Sequence, residues 1–286
     1  MIKPKKLNLK VYTRLKKYKE VYYLGNLKLL NASSVTVVGS RKSTSYGLRV
    51  CSDLCSFLGE KGYVTVSGYV AGIDMCVFDT AQKLNYPTIV CLGYGFDFMP
   101  KKLYEYLESS KNILVLSQFK NDQSAKKWTF PSRDALLATV GLTTVVVEAG
   151  LPSGTFYTVK QAFKEGKKVF SIPGNIYSSQ SLGANYLIGE GIQNKKASIL
   201  YNFNTLLNYL NPSSQISSAK KIKKTLDIPL SKKEQKILNL LNANFEHFDD
   251  ILKKTNLSSQ ELLVTLSKLE LLGLIKQEGN SMYCRC

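Results

Sequence analysis

Histidine is almost absent from this sequence of 286 residues, which limits the chemistry available to it. The one histidine, His247, lies near the C-terminus, so neither a serine–histidine–aspartate triad nor a histidine metal centre is expected in the larger N-terminal part. The six cysteines include no CxxC pair, and a chain of this size needs no disulfide framework. We therefore expect reduced thiols, no bound metal and no cofactor.

Long apolar runs are also missing. No stretch approaches the roughly 18–20 apolar residues that span a bilayer, and the lysine-rich N-terminus lacks the apolar core of a signal peptide. We expect a cytoplasmic protein without membrane insertion. The phosphate-binding motif GxxxxGK[ST] is absent, because residues 39–44 contain its residue types without its spacing. Residues 93–95 supply only half of a dinucleotide fingerprint, so an ordinary dehydrogenase is weakly supported.

Positive charge is abundant, and it is distributed unevenly. The formal net charge is +18. Residues 1–31 contain nine Lys and Arg side chains against one acidic side chain, whereas residues 231–286 contain eight against seven. A polyanionic partner is the natural inference, because each lysine placed on a phosphate releases a counterion. Lysine used only for solubility is the alternative explanation.

Short β-rich runs alternate with amphipathic helical stretches in the central part of the chain. Such near-continuous apolar strands, separated by helices, imply a mainly parallel sheet covered on both faces. The predicted strands occupy 34–38, 63–67, 87–92, 112–117, 143–148 and 167–172, and the predicted helices include 46–59, 73–85 and 154–166. We predict an α/β, Rossmann-like domain over residues 32–210, preceded by a basic lead-in over residues 1–31.

The C-terminal part follows a different pattern. Residues 211–230 are polar and basic without an apolar period, which indicates a linker. Two capping boxes, at 231–234 and 258–261, mark helix starts, and the turn residues at 279–280 indicate a hairpin. Three helices and a hairpin predict a winged-helix-like domain over residues 231–286.

The third predicted helix of this domain, residues 258–272, is not basic. It contains Lys268 against Glu261 and Glu270, whereas a helix that reads a DNA groove is expected to carry more cations. A structural or protein-binding role is therefore favoured for the C-terminal domain.

Small and hydroxylated residues follow three of the predicted strands. The small and hydroxylated residues are Gly39 and Ser40, then Ser67 and Gly68, and finally Ser153, Gly154 and Thr155. Arg41 directly follows the first pair. Backbone N–H groups at a helix N-terminus, together with a guanidinium group, can hold a phosphate. Because the carboxyl ends of parallel strands share one edge of a sheet, we predict a phosphate-binding groove there. The alternative for Gly39 is a tight turn that merely requires glycine.

A cationic segment with aromatic residues lies between the fourth and fifth predicted strands. It reads LysLysTrpThrPheProSerArg over residues 126–133. Single-stranded nucleic acid is held by this combination, in which cations contact phosphates and an aromatic ring stacks on a base. In the alternative interpretation Trp128 and Phe130 belong to the core and the charges are solvated.

Seven motifs of one protein family occur in this sequence. They follow the order that they have in that family, and their spacings are compatible with it. They are ValValGlySerArg at 37–41, SerGlyTyrValAlaGlyIleAsp at 67–74, LeuGlyTyrGlyPheAsp at 92–97, PheProSerArg at 130–133, ValValGluAla at 146–149 with SerGlyThr at 153–155, ValPheSerIleProGly at 169–174, and SerLeuGlyAlaAsnTyrLeuIle at 181–188. Together they resemble the DNA-processing protein A family, also called DprA or Smf.

This resemblance implies a Rossmann-like domain that binds single-stranded DNA, works as a homodimer and is followed by a small winged-helix-like domain. Proteins similar to this one protect incoming single strands during natural transformation and help to load the RecA recombinase. By matching motifs, Arg41 and Lys127 would contact phosphates and Phe130 would stack on a base. Arg133 matches the arginine of the family's FPxRN motif, but Asp134 stands where the family has asparagine.

A non-catalytic protein that binds single-stranded DNA is thus the leading prediction. The alternative is an enzyme, a nucleotide N-glycosidase resembling the LOG-type phosphoribohydrolases, which share a related architecture. That chemistry uses a PGGxGTxxE segment, and the corresponding residues 151–158 lack its glutamate.

Overall fold

The computed structural model describes residues 3–194, 197–211, 230–241, 246–255, 257–272, 274–278 and 281–285. The chain forms two compact units, residues 1–216 and 217–286. Except for its end residues 211 and 230, the predicted linker lies outside the described residues.

A nine-stranded sheet organises the first unit. Its strands are β1 (Lys5–Lys6), β2 (Tyr22–Gly25), β3 (Ser34–Val38), β4 (Val64–Ser67), β5 (Thr88–Leu92), β6 (Ile113–Ser117), β7 (Thr143–Val146), β8 (Val169–Ser171) and β9 (Ala197–Ile199). The spatial order is β1-β2-β6-β5-β4-β3-β7-β8-β9. Strands β3 to β9 are parallel, while β2 pairs antiparallel with β6. The six predicted strands and the Rossmann-like architecture are confirmed.

The order of the strands reverses at β3. The chain runs outward from β3 through β4 and β5 to β6, then returns to place β7 on the other side of β3. In the register, Val38 lies opposite Val146, at the carboxyl ends of the two strands. Ligands of open α/β sheets bind in the crevice at such a switch point.

Helices cover both faces of the sheet. They are α1 (Ser45–Glu60), α2 (Ile73–Leu84), α3 (Lys101–Ser109), α4 (Thr129–Val140), α5 (Thr155–Lys164), α6 (Leu182–Asn194) and α7 (Phe203–Leu210). On one face Val37 of β3 packs with Leu54 of α1. On the other face Val38 packs with Leu136 of α4 and Val159 of α5. The central strands are buried on both faces, which explains their continuous apolar sequences.

The basic N-terminal segment packs against α4 and α5. Arg14 donates a hydrogen bond to the carbonyl of Val140, at 3.1 Å, and Lys17 forms an ion pair with Glu165. Burial acts to raise the pKa of Glu165, but hydrogen bonds from Lys17 and from three further donors lower it to about 2. This segment also supplies β1 and β2, which the sequence did not predict because it shows no clear strand pattern there.

In its described residues, the second unit contains three helices and a small antiparallel sheet. Its elements are α8 (Lys232–Leu240), β10 (Glu246–His247), α9 (Phe248–Lys254), α10 (Ser259–Leu271), β11 (Ile275–Glu278) and β12 (Met282–Arg285). Both predicted capping boxes are confirmed, with Ser231 and Glu234 at α8 and with Ser258 and Glu261 at α10. Strands β11 and β12 pair antiparallel, as the predicted hairpin requires, although its turn at 279–280 lies outside the described residues. This arrangement is a winged helix.

The state of the cysteines and the hydrophobicity of the helices can also be compared with the sequence predictions. Four cysteines of the first unit, Cys51, Cys55, Cys76 and Cys91, carry free thiols. Within the described ranges, none of the helices combines the length and the hydrophobicity that crossing a bilayer would require.

Candidate nucleic-acid interface

A cleft of about 420 Å³ lies beyond the carboxyl ends of β3 and β7, at the switch point. Seven of the predicted site residues line it, namely Gly39, Ser40, Arg41, Arg133, Ser153, Gly154 and Thr155. The strand ends that the sequence placed at one edge are therefore brought together. The other four predicted residues, Ser67, Gly68, Lys127 and Phe130, are not among the residues that line this cleft.

The loop after β3 is held tightly at its base. A Cβ atom at Gly39 would lie 2.6 Å from a side-chain carbon of Ile73, so only glycine fits there. The amide of Ser40 donates to the carbonyl of Glu148 at 2.7 Å, and the hydroxyl of Ser40 donates to Gln180 at 2.7 Å. Gly39 and Ser40 thus shape the loop, while the Arg41 side chain remains exposed.

The N-terminus of α1 is already occupied by a carboxylate of the protein. Thr44 caps the helix, and its amide and hydroxyl donate to the two carboxylate oxygens of Glu148 at 2.8 and 2.6 Å. A negative charge at a helix N-terminus is stabilising. The sequence suggested this helix start as the phosphate site, but buried Glu148 fills it.

The helix N-terminus that borders the cleft belongs to α5. Thr155 is its first residue, Gly154 is its N-cap, and the hydroxyl of the preceding Ser153 accepts a hydrogen bond from the Thr155 amide at 3.2 Å. No described atom lies within 4 Å of a Cβ placed on Gly154, so the approach to this helix start is open. An anion in the cleft would lie near the positive end of the α5 dipole.

Arg41 and Phe130, which are distant in sequence, meet beside the cleft. The guanidinium carbon of Arg41 lies 5.1 Å from the centroid of the Phe130 ring, within the range of a cation–π contact. The ring also packs against Gly93, where a Cβ atom would come within 3.1 Å of it. Phe130 is half-buried in the first turn of α4, and Lys127 is exposed just before that helix. The structure therefore joins the two segments that the sequence marked separately.

Arg133 lies in the floor of the cleft, with only 3% of its side chain exposed. It forms ion pairs with Asp74 at 3.1 Å and with Asp134 at 3.2 Å. Gly68 makes room for it, because a Cβ atom there would overlap the Arg133 guanidinium at 1.3 Å. The hydroxyl of buried Ser67 donates to the carbonyl of Val37 at 2.7 Å. Ser67, Gly68 and Arg133 thus support the cleft from beneath.

Asp134 is a cleft residue that was not among the predicted contacts. Burial raises its pKa to about 6, although the neighbouring Arg133 acts to lower it. Burial also raises the pKa of Asp74, against the opposing effect of Arg133. When Asp74 and Asp134 are both ionised, these two carboxylates and the Arg133 guanidinium together carry a net charge of −1. Protonation of Asp134 would make this cluster neutral. The departure from asparagine in the family motif was the only signal of this residue in the sequence.

Comparison with known proteins agrees with the motifs. A sequence model of the DNA recombination-mediator protein A family matches residues 8–211, and one of the DprA winged helix domain matches residues 223–280. The DNA processing protein DprA of Streptococcus pneumoniae is 36% identical over 175 residues, which are 60% of this chain and 61% of that protein. The protein Smf of Escherichia coli is 27% identical over 256 residues, or 88% of this chain and 67% of that protein.

Solved structures show the same similarity. A structure of DNA processing protein A from Helicobacter pylori, described by its single-stranded DNA binding mode, has a TM-score of 0.64 and 27% identity, covering 74% of this chain and 97% of that one. The DprA structure from S. pneumoniae has a TM-score of 0.58 and 32% identity, covering 66% of this chain and 65% of that one. These matches do not favour the alternative of a LOG-type phosphoribohydrolase. The family model that covers residues 8–211 shows that the chain belongs to the DNA recombination-mediator protein A family, DprA.

Proposed function

We propose that this protein binds single-stranded DNA along the cleft during natural transformation, and that it protects the incoming strand. The observation that carries the proposal is the contact between Arg41 and Phe130 at 5.1 Å, beside exposed Lys127. Cations next to an accessible aromatic ring suit a strand whose phosphates and bases alternate. Arg41 and Lys127 contact phosphates, and Phe130 stacks on a base.

The cleft supports this assignment through its electrostatics. Arg41 and Lys42 line it together with the open N-terminus of α5, so a phosphate entering there meets positive potential from two sides. Gly39, Ser40, Ser153, Gly154 and Thr155 supply the backbone and hydroxyl surface that the strand approaches, while Ser67, Gly68 and Arg133 hold that surface in place. The H. pylori relative, described by its binding mode for single-stranded DNA, supports the same ligand.

We propose binding without catalysis. In the described part of the chain His247 belongs to the second unit, and the acidic groups in the cleft, Asp74 and Asp134, are paired with Arg133. Incubation with nucleoside monophosphates should release no free base, and a bound oligonucleotide should keep its length. Release of base that Asp134→Asn abolishes would contradict this part of the proposal.

We also propose that the protein works as a homodimer. Four apolar side chains lie exposed before and within α6: Ile176 (70%), Tyr177 (91%), Leu182 (45%) and Tyr186 (50%). Leu182 and Tyr186, four residues apart, share one face of the helix. Such a surface is typical of protein contacts. Sedimentation should give twice the monomer mass, and Tyr186→Lys should lower it; an unchanged mass would place the contact elsewhere.

The family is described as a recombination mediator, and we propose the RecA recombinase as the partner that receives the strand. The expected result is faster assembly of RecA on oligonucleotides covered by a single-strand-binding protein. If the protein only competes with RecA for the strand, the mediator role fails while DNA binding stands.

The central test is a titration of a fluorescein-labelled oligothymidylate, followed by anisotropy at several salt concentrations. The affinity should exceed that for a duplex of equal length and fall linearly with salt on logarithmic axes. Arg41→Ala and Lys127→Ala should each weaken binding and reduce the salt slope by about 0.7, the value of one phosphate contact on a single strand. The matched control is Lys276→Ala, an exposed lysine of β11. Equal affinities of all three variants and the wild type would refute the proposed cleft.

A further inference from the structure

Trp128 is the only tryptophan of the chain, and 56% of it is exposed. It immediately precedes α4, and its ring meets that of buried Phe119 edge to face, with centroids 5.6 Å apart. The Phe119 contact holds the indole in place from one side. A large aromatic face thus remains in water beside the candidate interface.

A second cavity, of about 290 Å³, opens next to this ring. Its lining includes Tyr18, Lys19, Glu20, Phe119, Trp128 and Ser132. The cavity lies between the basic N-terminal segment and the start of α4, away from the cleft at the switch point. It has an aromatic wall, a cation at its rim and enough space for a nucleobase.

The surroundings of this cavity are cationic. Lys120, Lys126 and Lys127 are exposed on the segment that leads into α4, and Lys19 faces the cavity from the other side. The acidic member, Glu20, is paired with Lys6 at 2.6 Å and accepts a hydrogen bond from Tyr22 at 2.8 Å. The charge complementarity therefore favours an anionic partner, such as the phosphates of a nucleic acid, over a cationic or an uncharged one.

Trp128 and Phe130 lie on different sides of the start of α4. Residues two apart in a helical conformation point about 200° apart, in agreement with their separate neighbours. Phe130 faces Gly93 and Arg41, whereas Trp128 faces Phe119. Exposed Lys127 directly precedes Trp128 and lies three residues before Phe130 in the sequence, so the two aromatic sites can belong to one continuous path.

We propose that the Trp128 cavity is a second nucleotide subsite, in which one base of the single strand stacks on the indole and Lys19 contacts an adjacent phosphate. This inference rests on the proposed function, since it extends the strand beyond Phe130. The basic N-terminal segment thereby becomes part of the binding surface. Stacking on a base explains why the indole of Trp128 is left exposed. Lys19 neutralises the phosphate next to that base.

The lone tryptophan makes the subsite directly observable. Unlabelled oligothymidylate should quench the tryptophan emission over the same concentration range in which the labelled strand binds. Trp128→Leu should lower affinity by about fivefold or more with an unchanged salt slope, whereas Trp128→Phe should stay within about threefold of the wild type. Both substitutions retain an apolar contact with Phe119, and only phenylalanine can stack. Lys19→Gln should reduce the salt slope by about 0.7, the value of one phosphate contact on a single strand.

The outcomes separate this subsite from the cleft. If the labelled strand binds and Arg41→Ala weakens it, but the emission does not change and Trp128→Leu binds like the wild type, the subsite is overturned and the proposed function stands. If Trp128→Leu and Trp128→Phe lose affinity equally, packing rather than stacking is responsible and the subsite is again overturned. If no single strand binds to the wild type, the proposed function fails, and the subsite fails with it.

Discussion

The cations at the candidate DNA-binding edge of the large sheet and on the third helix of the winged helix have different surroundings. At the edge of the large sheet, Arg41 lies over Phe130 and Lys127 is exposed. In the winged helix, α10 corresponds in position to a groove-reading helix, but its Lys268 forms an ion pair with Glu234 at 2.6 Å. A winged-helix fold therefore does not by itself indicate DNA reading, because function depends on which cationic side chains are available to a phosphate rather than paired with a carboxylate of the protein.

The exposed apolar residues differ as well. Next to the cleft, the exposed or half-exposed rings of Trp128 and Phe130 have faces on which bases can stack. On α10, Leu263 (52%) and Val264 (65%) are exposed, and these aliphatic side chains offer no such face. This supports the prediction that the winged helix contacts protein or has a structural role.

The largest expected change in DNA affinity comes from reversing one charge in each of the two units. Arg41→Glu should weaken binding of single-stranded DNA by about 100-fold, because it removes a phosphate contact and adds repulsion at the same place. Lys276→Glu, the same change on the exposed wing strand β11, should alter affinity by less than about twofold. Both are measured by anisotropy at one salt concentration. Similar losses in the two variants would show that both units hold the strand.

Stacking on Phe130 should contribute the next largest effect. Phe130→Leu retains apolar packing against Gly93 but removes the aromatic face, so affinity should fall by about tenfold. The salt slope should stay unchanged because no charge is lost. The same titration series measures both quantities. A reduced slope would instead mean that the ring serves mainly to position Arg41.

Asp134 should produce a smaller, pH-dependent effect. Its pKa of about 6 in the folded protein lies above its ordinary value, so the wild type gains stability as pH falls through 6 and loses it as pH rises. Asp134→Asn removes this cost, and at about pH 8 it should stabilise the fold by about 2 kcal/mol and tighten binding by roughly threefold. Both gains should vanish at about pH 4, where the wild-type carboxyl is protonated.

The measurements for Asp134 are thermal unfolding and anisotropy across this pH range. Asp122→Asn is the matched control, since it makes the same substitution at an exposed aspartate. A gain from Asp134→Asn that persists unchanged at about pH 4 would mean that packing, rather than charge, is the cause.

A change confined to the winged helix should leave DNA binding unaffected. Ser258 accepts a hydrogen bond from the Glu261 amide at 3.3 Å and caps α10. Ser258→Ala should destabilise this unit by about 1 kcal/mol, whereas Ser258→Gly should cost only a few tenths of that amount. Denaturant unfolding measures the difference. Any loss of DNA affinity in Ser258→Ala would connect the winged helix to strand binding and weaken the comparison.

Local patterns in the sequence predicted most of the strands and helix starts. Strands β3 to β8 were predictable because burial on both faces requires continuous apolar runs, and the caps of α8 and α10 were predictable because a capping box acts within four residues. Strands β1, β2 and β9 escaped prediction. Strand β1 pairs with β2, and β2 pairs with β6, so this pairing depends on residues far away in the chain.

In the candidate site, too, some features follow from the sequence alone and others only from the tertiary structure. The sequence alone determined which segments carry cations, aromatic rings and small residues, because these are properties of composition and short-range order. Only the tertiary structure decided which of them reach solvent: Arg41 lies on Phe130 at the surface, whereas Arg133 is buried between Asp74 and Asp134. It also placed Glu148 at the start of α1 and left the start of α5 open. The physical reason is that burial and charge pairing arise from contacts between segments distant in sequence, which no local pattern contains.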